Sequence, residues 1–180
     1  MRRYELEHII RAAAEVTNHY EFVIVGSQSI LGTVPNPPAD CVLSMEADIF
    51  PLDAEELSDL IEGALGEGSQ FHDTHGYYAQ GVDSATSVLP KGWKTRLVRL
   101  QSQNTRGFVG YCLDPVDLFL AKCVANRDKD RRFNRALLHG NCLKAADALA
   151  RVEDMPLDEA GKTRLRALIG RLDKSARAGA

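Results

Sequence analysis

Hydrophobic and polar residues alternate with a period that changes several times along the chain. Residues 5–17 place Leu6, Ile9, Ile10, Ala13 and Val16 at helical spacing, which predicts an amphipathic opening helix. The unbroken run Phe22-Val23-Ile24-Val25 predicts a buried strand over 21–25. Gly26-Ser27-Gln28-Ser29 turns it into a short helix ending near Gly32. Three prolines, Pro35, Pro37 and Pro38, then make 33–40 a surface loop, because they remove donors and fix backbone angles. A second strand is expected over 44–50. Its alternation sends Glu46 and Asp48 to one face.

Beyond it, Asp53 with Glu56 reads as a capping box opening a helix with Leu57, Leu60, Ile61, Ala64 and Leu65 on its apolar face. Gly66 and Gly68 end that helix. Tyr77 to Val82, Thr95 to Gln101 and Gly107 to Cys112 read as further strands, the last two forming an antiparallel hairpin. From Asp114 the pattern turns helical, with Asp114 as N-cap, Pro115 in the first position and a stripe of Val116, Phe119, Leu120, Cys123 and Val124. Two more helices are expected around 139–151 and 158–173, with a fraying tail over 176–180. Fold class is therefore α+β, an α/β-type mixed sheet with a C-terminal helical portion, divided into 1–113 and 114–180.

Composition is ordinary for a globular protein, with 44% hydrophobic and 26% charged residues. No stretch approaches the ~20 apolar residues of a membrane span. The basic start leads into a charged amphipathic pattern, so a cytoplasmic location is expected. Cys41, Cys112, Cys123 and Cys142 are irregularly spaced and predict reduced thiols rather than a disulfide framework. His72 and His75 lack a second ligand pair.

Charge is uneven. Residues 1–113 hold 8 basic and 15 acidic side chains, and residues 114–180 hold 14 basic and 10 acidic. The front half thus offers carboxylates to metals and the back half cations to phosphates.

The segments FVIVGSQSILG (22–32) and SMEADIFP (44–51) resemble the two signature motifs of the nucleotidyltransferase superfamily, the polymerase-beta-like fold. In that superfamily a glycine-serine turn precedes a strand bearing paired carboxylates. DLFLAKCVANRDKDRRF (117–133) is similar to the helical part of its small bacterial subgroup, which includes abortive-infection and toxin-type members. The resemblance implies that Gly26 and Ser27 contact a triphosphate, that Glu46 and Asp48 hold magnesium, as one ion or a pair, and that Lys122 lies on the phosphates. Lys129, two turns further along a continuous helix, would face the same cleft. Asp83, at the end of a strand, is the candidate for a third carboxylate of the kind this superfamily often uses. Arg127 and Asp130 form a partly buried pair if the helix continues, or a cap if it breaks near Asn126.

Two departures stand out: Glu46 occupies a position that is usually aspartate, and the interval from Ser27 to Glu46 is long. The implied activity is magnesium-dependent transfer of a nucleotide from a nucleoside triphosphate, with release of pyrophosphate, to an acceptor that the sequence leaves open among RNA, protein and small molecule. Glu46 also admits the alternative of a non-catalytic module acting through a partner protein, antitoxin-like in manner.

Overall fold

The computed structural model describes residues 1–178. Helix α1 (Arg3–Thr17) precedes β1 (Glu21–Ile24), and a 3-10 turn at Ser27–Ser29 leads into the one-turn α2 (Ile30–Thr33). Strand β2 (Glu46–Pro51), α3 (Ser58–Leu65), α4 (Gln70–His75) and β3 (Tyr78–Gly81) follow, then the hairpin of β4 (Val98–Leu100) and β5 (Val109–Cys112). Helices α5 (Pro115–Ala125), α6 (Asp128–His139), α7 (Ala145–Arg151) and α8 (Glu159–Ala178) complete the chain. Five strands form one mixed sheet in the order β3-β2-β1-β5-β4. β1 is antiparallel to β2 and parallel to β5, and β2 is parallel to β3. The fold is α+β, as the alternating patterns predict.

β1 is central, which is why Phe22, Val23 and Ile24 are all buried and read as a continuous apolar run. Leu6, Ile9, Ile10 and Ala13 of α1 pack into the same core. The Asp114 cap forms as expected, its carboxylate accepting from the amides of Val116 and Asp117. Asp117, fully buried, is held by Arg96 at 2.9 Å and Arg151 at 2.9 Å, tying α5 to the β4 approach and to α7. Trp93 is partly buried against the core and anchors its loop. All four cysteines are free thiols. No helix of the described residues is long and apolar enough to cross a membrane.

Several local expectations are corrected. Asp53 does not cap a helix: it sits at φ 58° in a tight turn, and a 3-10 turn at Glu55–Leu57 precedes α3. Leu60 is half exposed, leaving Ile61 and Leu65 as the buried face of α3. The helix expected at 139–151 is two elements, because the chain breaks at Gly140 and at Asn141, which has φ 52°. Ala176 is buried and α8 runs to Ala178, so the tail does not fray there; residues 179–180 lie outside the described ones.

Candidate active site

The end of β1 and the middle of β2 are bonded neighbours, the Val25 amide donating to the Asp48 carbonyl at 3.0 Å. The next residue, Gly26, has φ 61° and ψ −164°, a region essentially restricted to glycine. It also has no room for a side chain, since a Cβ would lie 1.7 Å from Asp48 Oδ2. The turn is closed by Ser29, whose amide and hydroxyl both donate to the Gly26 carbonyl. Gln28 and Ser29 are buried, and Ser27 remains open to the cleft.

Glu46 and Asp48 lie on the same face of β2, as the alternation predicts, and both line one cleft. Burial, and behind it the neighbouring Glu46 carboxylate, pushes the Asp48 carboxyl up to about 7, while Lys122 and Lys129 pull it down. Parallel pairing sets Tyr78 beside Glu46 and Gln80 beside Asp48. The Tyr78 hydroxyl donates weakly to Glu46 Oε2 at 3.4 Å.

Lys122, on α5, is buried and donates to Ser27 Oγ at 2.9 Å and to Asp130 Oδ1 at 3.2 Å. Its ammonium lies 4.4 Å from the centre of the Phe133 ring. Asp130 is fully buried; Arg127 gives it a side-chain bond of 2.6 Å and a backbone bond of 3.2 Å. Burial lowers the pKa of Lys122 against the opposing pull of Asp130. For Asp130 burial acts upward, but Arg127 and Lys122 outweigh it and hold the carboxyl below its ordinary value. Of the two alternatives for residues 127–130, the cap at a helix break is the one that occurs. The helix does break, at Asn126 with φ 50°, and Arg127 with Asp130 forms the cap of α6, yet the carboxylate is buried because Lys122 reaches it across the break.

Gly26, Ser27, Glu46, Asp48, Lys122 and Lys129 line one cleft of about 520 Å³. Lys129 arrives from α6 rather than from a continuation of α5. Asp83 is not among the lining residues: it is exposed and caps the turn Ser84–Thr86, accepting from the Ala85 amide and the Thr86 hydroxyl. Where a neighbouring strand meets Asp48, the side chain is the amide of Gln80. Gln80, Arg127 and Arg132 also line the cleft. Alternation along β3 would have shown Tyr78 and Gln80 sharing a face, but their pairing partners depend on a register that sequence leaves free.

Two carboxylates forced together, one pushed toward its protonated form, are a donor set that fits one hard divalent cation. Gln80 and Tyr78 add neutral oxygens nearby. Among the described residues, no group of three or more histidine, cysteine or carboxylate side chains gathers to hold a metal.

A family model described as a nucleotidyltransferase of unknown function matches residues 4–142, which include every element lining the cleft. No curated protein and no solved structure gives a match.

Proposed function

The chain belongs to this family of nucleotidyltransferases of unknown function, and from that premise we propose that it moves a nucleotide from a nucleoside triphosphate to an acceptor, releasing pyrophosphate. The observation that carries the reading is the meeting of three separate segments: the Gly26-Ser27 turn against Asp48 on one side and Lys122 on Ser27 on the other. Ser27 Oγ accepts from Lys122, which leaves its own O–H to donate to a phosphate oxygen. Lys122, kept charged by Asp130, faces the negative charge that grows on the leaving pyrophosphate. Lys129 and Arg127 add positive charge at the same end of the cleft.

Glu46 and Asp48 would hold a divalent cation, magnesium being the hard ion such oxygens prefer, and when bound it would supply positive charge beside the triphosphate. In the transfer, an acceptor oxygen bonds to the α-phosphorus as the bond to the bridging oxygen breaks. Pyrophosphate leaves with that electron pair and the acceptor proton passes to water. A recess of about 230 Å³, walled by Val88, Leu118, Ala121 and Val124, opens beside Lys122 and Arg127 and suits the apolar face of the nucleoside.

The test is a thermal-shift series with each of the common nucleoside triphosphates, with and without magnesium, followed by pyrophosphate-release assays. At least one triphosphate should stabilise the protein in a magnesium-dependent way, and Asp48→Ala should remove both that response and turnover. Absence of any magnesium-dependent stabilisation would overturn the reading. One observation favours a second reading, a binding module that retains the fold: Gln80 stands beside Asp48 where a further carboxylate would complete the site. That reading expects nucleotide-independent stabilisation by a partner protein.

A further inference from the structure

Helix α6 divides its cations between two faces. Arg131 turns back to Asn126 and Asp128 and is neutralised there. Lys129, Arg132 and Arg135 follow one another at three-residue spacing, all exposed, and among the described residues none of the three forms an ion pair or a side-chain hydrogen bond. Elsewhere in the basic back half Lys162 and Arg166 meet Glu153 and Arg177 meets Asp173, while Lys144, Arg164, Arg171 and Lys174 also form no ion pair among the described residues, so what sets the row apart is its continuity with the cleft. The unpaired row starts in the cleft, which Lys129 and Arg132 line. It continues into a second groove of about 390 Å³, lined by Arg132, Arg135 and His139 and joined to the cleft at Arg132 and Asp40.

From Lys129 to Arg135 the helix rises about 9 Å. A small acceptor occupying the cleft would not reach that far. A nucleic-acid strand spaces its charges about 3.4 Å apart along a duplex and further when single-stranded, so several phosphates span the row. Two of the three cations are arginines, whose planar fork suits phosphate oxygens. Such a strand also ends in a hydroxyl, the kind of acceptor atom the transfer needs. We propose that the acceptor is a nucleic-acid strand, its phosphates on Lys129, Arg132 and Arg135 and its terminal hydroxyl in the cleft beside Glu46 and Asp48. This rests on the nucleotidyltransferase reading. The strand's hydroxyl oxygen bonds to the α-phosphorus, the bond to the bridging oxygen breaks, pyrophosphate departs with the electron pair, and the hydroxyl proton goes to water.

The test is fluorescence anisotropy of a short 5′-labelled single-stranded RNA across a salt series, without triphosphate or metal, with a DNA of the same sequence in parallel. Binding of either strand with a log–log salt slope of about −2, the value for three phosphate contacts on a single strand, supports the proposal. Arg132→Gln with Arg135→Gln should flatten the slope by about 1.4. Arg171→Gln, an equal charge change per residue in the groove between α5 and α8, should leave it unchanged. Circular dichroism melts confirm that the variants fold. Failure of both strands to bind, equal loss in the Arg171 variant, or polyglutamate binding as tightly as RNA would overturn the proposal, the last in favour of an acidic polypeptide. Because triphosphate response is measured separately, a protein that releases pyrophosphate but ignores RNA and DNA would lose this acceptor and keep its proposed activity.

Discussion

Replacing Gly26 by alanine tests the closest contact in the site. Two costs arise together. At φ 61° and ψ −164° any side chain is strained, by about 1–3 kcal/mol. The new methyl would also overlap Asp48 Oδ2 at 1.7 Å and crowd its Cγ at 2.8 Å, so the carboxylate must move, adding about 1–3 kcal/mol. Gly76 supplies the comparison: φ is 75° there too, but a Cβ would meet nothing within 4 Å, so Gly76→Ala carries only left-handed strain of about 1–2 kcal/mol. Urea denaturation of both variants should show Gly26→Ala less stable than Gly76→Ala by about 2 kcal/mol. The excess should shrink by more than ~1 kcal/mol in an Asp48→Ala background, because the overlapping oxygen is gone, and a double-mutant cycle reads that coupling. Equal losses at the two glycines, or a cycle with no coupling, would refute the claim that the turn and the acidic strand touch.

Two other outcomes follow from the buried charges. A carboxyl raised from 3.8 to about 7 holds a proton in the folded chain that the unfolded chain has already lost, so between those values stability falls as pH rises. Asp48→Asn escapes that fall and should overtake the wild type by on the order of 2–4 kcal/mol at about pH 8 in metal-free buffer, and denaturation curves that stay parallel from about pH 4 to about pH 8 would contradict it. Asp130→Ala leaves Lys122 buried without its counter-charge and should cost about 3–5 kcal/mol in chemical denaturation, with Lys122→Met softer because Arg127 still neutralises Asp130.

Local signals were legible where the chain decides its structure within a few residues. Asp114 and Pro115 start α5 because the cap and the fixed proline angle act on adjacent amides. Glu46 and Asp48 share a face because strand alternation leaves no choice. Asp53 misled for the converse reason: its capping-box spacing was present, but the chain had first to turn out of β2, and the aspartate was taken into that turn at positive φ. The break at Asn126 was open from sequence, since Lys122 and Lys129 fit one continuous wheel equally well. The exchange of Asp83 for Gln80 beside Asp48 depends on how β3 slides against β2, a choice made by packing of the whole sheet. The contact between Gly26 and Asp48 likewise exists only once β1 and β2 pair.

The bond from Lys122 to Ser27 joins residues 95 apart in the chain. Half of the cleft is therefore written early and half late, and a growing polypeptide that has emerged only through β5 would display the carboxylates without the ammonium that offsets them. Such an intermediate repels a triphosphate. Affinity for the nucleotide would then appear last in refolding, after the sheet's own spectroscopic signature, making ligand capture a clock for docking of the final helices.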